Sequence, residues 1–287
     1  MERVLKKRFC LDFWKKKGAA EKEEEWMMDK DELFRGQEIL CGRSFWGEGI
    51  IARRLGQGRT GVLFAGSLDG DHLAQEVLEL FEGELSKMAA ENAFWGRLSL
   101  SALLEMRFVC FLPRPNPDAL RIKSGRISTD DPFYAGVQSM CGKLPMPLWS
   151  ANGRGVDLSR NFNYRFDEYR TRCPCRVAPF GYCGAYPESE PESAAFARLA
   201  RSLRPRLFVH LTGGRNTLQY SEGNGALHGI CIRYAPYDRE EGDLSASAEG
   251  WISQELGCAY LRIGAAFEGA QRSYALLRPL LFALCGY

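Results

Sequence analysis

Only three histidines, His72, His210 and His228, occur in 287 residues, so any imidazole-based metal or acid–base chemistry must draw on them. Two of them stand where an open α/β sheet presents its site, beyond the carboxyl ends of strands. His210 closes the apolar run RLFVHLT (206–212) just ahead of a glycine turn. His72 follows the apolar run GVLFAGS (61–67), with Asp69 three residues before it in the same turn. Asp69, His72 and His210 together give two nitrogens and one oxygen, the donor count of a catalytic zinc with an open fourth position. Such an ion polarises a carbonyl and acidifies a bound water. Each residue also has a plain structural role. An aspartate in this turn suits a helix N-cap, where its oxygen accepts unpaired backbone N–H groups. A histidine at a strand end serves as a hydrogen-bonded core residue, and His228, inside the apolar run ALHGICIRY (226–234), reads as core.

The elements that must position these residues follow from hydrophobic periodicity. GIIARRLG (49–56), GVLFAGS (61–67), RFVCFLP (107–113), RLFVHLT (206–212), ALHGICIRY (226–234) and CAYLRIGAAF (258–267) are expected as strands. Helical spacing marks 72–91, 191–203, 249–256 and 270–285. Residues 114–190, rich in Gly, Pro, Asn and Asp, read as a long loop, a length that points to a functional surface. Strands alternating with helices predict one α/β domain, a mixed and mostly parallel twisted sheet with helices on both faces.

Bulk composition excludes several classes. The net charge of +2 gives no case for nucleic acid, and 45% hydrophobic residues rule out a disordered chain. The most apolar stretch, 274–285, is too short to span a membrane and is broken by Arg278 and Pro279. Residues 1–17 carry net +5, then EKEEE and DKDE reverse the sign, so 1–37 is expected as a charged extension and 38–287 as the domain. The start of the chain lacks the continuous apolar core of a signal peptide. The ten cysteines then read as reduced thiols of a cytoplasmic protein. The cluster Cys173, Cys175 and Cys183 lacks the paired spacing and the fourth ligand of a structural zinc site.

Six segments in order over residues 38–264 resemble the zinc carboxypeptidase family (carboxypeptidase A-like), nearest its bacterial γ-D-glutamyl-diamino-acid peptidases. CGRSFWGEGIIARRLGQG (41–58) is similar to that family's first hairpin. FLPRPNPDAL (111–120) resembles its strand and NPDG motif, with Ala119 for the glycine. WSANGRGVDLSRNF (149–162) resembles W-x-A-N-x-x-G-V-D-L-N-R-N-F, and YCGAYPESEPES (182–193) resembles Y-x-G-x-x-P-x-S-E-P-E. RLFVHLTGG (206–214) matches the segment with the third histidine ligand, and AEGWISQELG (248–257) the approach to the last strand.

The resemblance implies a zinc-dependent hydrolase of peptide or γ-glutamyl amide bonds, acting on peptides with a free carboxylate, peptidoglycan stem peptides among them. It implies one Zn2+ on Asp69, His72 and His210. The family's H-x-x-E pair here reads Asp69-Gly70-Asp71-His72, carboxylate first and imidazole second. Arg160 matches the arginine that holds the substrate carboxylate; Ser159 replaces its neighbouring asparagine, and Asp157 and Asn161 shape the loop. The general-base glutamate of the last strand aligns with Gly264. Glu268 is the nearest replacement, on the same strand face but roughly 13 Å further along an extended chain. Glu255 is a weaker candidate, and Tyr234 and Tyr237 are the candidates for the substrate-capping tyrosine. The missing glutamate also admits a second expectation, a catalytically degenerate member that binds a peptide, metal or partner without hydrolysis.

Overall fold

A computed structural model describes Phe34 and residues 36–142, 145–173, 179–266 and 269–287. From residue 37 the described chain forms a hairpin, β1 (Gln37–Arg43) and β2 (Gly49–Leu55), followed by β3 (Thr60–Ala65) and α1 (His72–Ala90). Next come the two-residue strands β4 (Phe94–Trp95) and β5 (Leu98–Ser99), α2 (Leu100–Met106) and β6 (Arg107–Leu112). Among the described residues of 114–190 the chain forms the short α-helices α3 (Pro117–Lys123), α4 (Tyr134–Cys141) and α5 (Phe166–Arg172), with 3-10 turns at Met146–Leu148 and Leu158–Arg160. Beyond it lie α6 (Pro191–Leu203), β7 (Leu207–Gly213), β8 (Thr217–Tyr220), α7 (Gly225–Tyr234) and β9 (Asp238–Arg239). The last elements are α8 (Ala248–Leu256), β10 (Ala259–Ala265) and α9 (Ala270–Cys285).

Among the described residues eight strands make one mixed sheet in the order β1-β2-β6-β3-β7-β10-β8-β9. Its centre, β6-β3-β7-β10, is parallel, with antiparallel neighbours β2 and β8. This is the expected single α/β domain. Side chains of a strand alternate between faces, and β3 shows it directly. Val62 and Phe64 join the core beneath α1 and α9, whereas Leu63 and Ala65 join the core beneath α6 and α8. Burial on both faces is why the central strands read as continuous apolar runs. No described helix is long and apolar enough to cross a membrane.

One element departs from its expected type. ALHGICIRY is not a strand but helix α7, whose N-cap Asn224 accepts from the Leu227 amide. Leu227 and Cys231, four apart, supply the buried stripe and leave His228 exposed, so His228 is not a core residue. A short apolar run fits either period, and the cap decides it.

Register sets the site. Ala65 at the end of β3 pairs with His210 of β7, so the turn after β3 folds over that ring. On the other side β10 pairs Arg262 with His210 and Gly264 with Thr212.

Candidate active site

Asp71, not Asp69, caps α1. It immediately precedes the helix, and its Oδ1 accepts from the amides of Leu73 (2.9 Å) and Ala74 (3.2 Å). Asp69 is thereby left over. Its Oδ1 is buried without a hydrogen-bond partner, and its Oδ2 lies 3.9 Å from Lys123 Nζ on α3. Burial pushes the Asp69 carboxyl up, with the Lys123 ammonium acting against it. His72 is the exposed first residue of α1.

His210 is held from both sides. Its Nδ1 stands 2.6 Å from Glu249 Oε1 in the first turn of α8, and its Nε2 accepts a long hydrogen bond, 3.4 Å, from the Leu68 amide. Both side chains are almost wholly buried, at 1% and 2% exposure. Burial alone would raise the Glu249 carboxyl, but the His210 ring and Arg262, whose Nε is 3.9 Å away, outweigh it and hold it at about 2.

These donors do not fit a zinc shell. Tetrahedral coordination needs three side chains converging on one point. Here one imidazole is spent on a carboxylate and an amide and the other faces solvent, and no three His, Cys, Asp or Glu of the described residues gather as a metal set. The position of the base is also closed. A Cβ on Gly264 would meet the Arg215 carbonyl oxygen at 2.7 Å, so backbone fills the room that a side chain would need. Glu268 lies outside the described residues. Glu255 is an exposed helix charge paired with Arg201 at 3.3 Å. Tyr234 and Tyr237 pack against the core.

Arg160 is committed to the scaffold. Its Nη1 donates to the carbonyls of Asp243 (2.8 Å) and Ser245 (2.9 Å), and its guanidinium lies 5.1 Å over the Tyr169 ring. The Ser159 hydroxyl donates to Asp157 Oδ1 at 2.6 Å. Asp157 also accepts from the Gly181 amide, and Asn161 donates to the carbonyls of Cys183 and Tyr186, so both shape the loop as expected.

A polar cleft of about 280 Å³ opens at the carboxyl ends of β7 and β10, lined among others by Thr212, Arg215, Gln219, Glu240, Glu241 and Arg262. Sequence reasoning passed over Glu249 and Arg262. Arg262 carried a signal, being a charge in an otherwise apolar central strand two residues from Gly264. Glu249 carried none, because an acid in the first turn of a helix is equally a favourable dipole partner.

Four of the six motif-bearing segments (41–58, 111–120, 149–162 and 182–193) meet elsewhere, in a buried acidic cluster. Asp118 accepts from the Ser44 hydroxyl at 2.5 Å, and Glu192 from the Phe45 amide at 2.7 Å. Asn152 Nδ2 bridges Glu190 (2.9 Å) and Glu192 (3.0 Å). Burial, reinforced by the charge of Asp118, pushes the Glu192 carboxyl up to about 7.

A sequence profile of the zinc carboxypeptidase family matches residues 101–255, more than half of the chain. The chain belongs to the zinc carboxypeptidase family. Mouse carboxypeptidase A6 is 35% identical over 85 residues, an alignment spanning 29% of this chain but only 17% of that protein. Among solved zinc carboxypeptidase-like structures, bovine thrombin-activatable fibrinolysis inhibitor, crystallised with a tick carboxypeptidase inhibitor, superposes with a TM-score of 0.61 at 14% identity, covering 88% of this chain and 89% of its own. Carboxypeptidase A of Helicoverpa armigera gives 0.59 at 17% identity, covering 90% and 71%. The murein-tripeptide amidase of Escherichia coli O157 gives 0.54 at 16%, covering 86% and 91%. At such identities the likeness to these structures is one of fold. The family is one of peptidases.

Proposed function

We propose that this chain holds the carboxylate-bearing end of a peptide, of the peptidoglycan stem type, in the cleft at the ends of β7 and β10 without cleaving it by zinc chemistry. The observation that carries this reading is the state of His210: buried, with one nitrogen on Glu249 and the other on the Leu68 amide. The closed position at Gly264 agrees with it, since no side chain there can take a proton from water. Binding needs less than catalysis. A cleft with arginine on its wall recognises a carboxylate without a base or a metal.

A second reading, zinc-dependent hydrolysis of the same peptides, is favoured by one feature. A ligating histidine usually hands its other N–H to a carboxylate, as the His210–Glu249 pair would, and the unpartnered oxygen of Asp69 lies buried nearby. It requires His210 Nε2 to give up the Leu68 amide and His72 to turn inward. One experiment separates the two. The full chain, purified without chelator and supplied with zinc, is incubated with a γ-D-glutamyl-diaminopimelyl peptide, while calorimetry follows binding and mass spectrometry follows cleavage. Binding with an intact peptide and no stoichiometric zinc is expected. Turnover together with stoichiometric zinc, both lost in His210→Ala, would overturn the proposal.

A further inference from the structure

We infer that the anchor for the ligand's carboxylate is Arg262, and not the motif arginine Arg160; this rests on the peptide-binding reading above. Three observations lead to it. Arg262 stands on the face of β10 that carries His210 on β7, two residues below Gly264, and lines the cleft. It is a charged residue in the middle of the sheet with only 31% of its side chain exposed, a costly position unless its donors are used. Among the described residues it makes no hydrogen bond: its one charge partner is Glu249 Oε1 at 3.9 Å, and that oxygen already lies 2.6 Å from His210. The guanidinium fork is therefore available, and its planar pair of donors matches a carboxylate.

The other arginines are poorer anchors. Arg160 is tied to two backbone carbonyls and stacked on Tyr169. Arg215 stands at the mouth, 87% exposed and facing Glu240 at 3.9 Å, where water screens it. The dyad beneath Arg262 gives it a fixed position. Glu249 balances its charge without occupying its fork, so the arginine presents donors toward the cleft.

The test is calorimetric titration of the full chain with a γ-D-glutamyl-diaminopimelyl peptide whose diaminopimelyl carboxylates are free, and with the same peptide amidated there. The wild-type chain is expected to prefer the free carboxylate by at least tenfold. Arg262→Gln is expected to abolish that preference, and Arg262→Lys, which keeps the charge but loses the fork, to keep only part of it. Arg160→Lys is expected to retain it. Thermal midpoints of all variants check that each is folded, and Arg262→Lys carries the test if Arg262→Gln does not fold. If both peptides bind equally to the wild type, the anchor assignment fails, and of the binding reading peptide binding stands without recognition of the carboxylate. If Arg160→Lys loses the preference and Arg262→Gln keeps it, Arg160 is the anchor. If neither peptide binds, the binding reading itself fails. Cleavage of the free peptide overturns the non-hydrolytic reading, while the ratio of KM values for the two peptides still judges Arg262.

Discussion

Two buried acidic regions sit within one domain, and they are built differently. Around Asp118, Glu190 and Glu192 every carboxylate meets hydrogen-bond donors from several elements. At the ends of β3 and β7, Asp69 keeps an oxygen without a partner, and the Ser67 hydroxyl beside it is also buried and unpartnered. The first region ties the hairpin of β1 and β2, α3, α6 and the 149–156 loop together, and it is made from four of the six segments that match the family's motifs. The second is where the motifs break down. The likeness therefore lies mainly in the scaffold, and the departures that touch the metal and base positions lie at the strand ends where chemistry would occur.

The contrast is broken most forcefully at Asn152. Its amide nitrogen bridges Glu190 and Glu192, and its oxygen accepts from the amides of Arg154 and Val156 at 3.1 Å. Asn152→Ala takes one donor from each of two buried carboxylates and the shared acceptor from two backbone amides, and is expected to cost about 4 kcal/mol. That lowers the thermal midpoint by about 10 °C, read by calorimetry. The same cluster has a pH signature. Glu192 rises from 4.5 to about 7, so between those values the folded state holds a proton that the unfolded chain has lost. Stability is expected to fall as pH rises through that window, and Glu192→Gln to flatten the fall.

His210→Ala strikes the other region and comes next, at about 3 kcal/mol, because it leaves Glu249 buried with only the long Arg262 pair. The pH dependence has the opposite sign here. Glu249 is held at about 2 against an ordinary 4.5, so the folded state stays ionised where the unfolded chain is protonated. That contribution is present above pH 4.5 and is lost as pH falls toward 2, and His210→Ala is expected to remove this acid-side slope in urea titrations. Third is Gly264→Glu, which returns the family's residue to its position. Its Cβ meets the Arg215 carbonyl at 2.7 Å, so a loss of about 2 kcal/mol is expected, with no gain of peptide cleavage. A cleaving Gly264→Glu chain would show that the strand end is open after all.

How far the sequence reveals all this follows the same division. The central strands were legible because burial on both faces leaves continuous apolar runs, and helices such as α6 and α9 because their stripes repeat at helical spacing. The segment 226–234 was not, since an apolar run of nine residues fits both periods and only the Asn224 cap selects helix. Within 114–190 the short helices are hidden by Gly and Pro, and tertiary packing rather than propensity holds them, α3 and α4 against Trp46 and Trp149 and α5 against Cys183 and Ala246. At the site, residue types located the turn after β3 and the end of β7. Partnership was invisible: nothing in one dimension says that His210 meets Glu249, 39 residues away, or that Asp71 displaces Asp69 from the cap.

The smallest change tests whether the unpartnered carboxylate is a strain or a site. Asp69→Asn keeps the shape and removes the charge. Burial already pushes this carboxyl up, and its nearest cation, Lys123, is 3.9 Å from the other oxygen. A buried charge with one long partner costs more than a neutral amide that can donate as well as accept, so Asp69→Asn is expected to stabilise the fold by about 1 kcal/mol. The gain should be largest at high pH, where Asp69 is fully ionised, and shrink on acidification as its own proton does the same work. A chain destabilised by Asp69→Asn only when zinc is supplied would place a cation at that oxygen and restore the hydrolytic reading. Destabilisation without zinc would mean that the pair with Lys123 is worth more than its 3.9 Å separation suggests.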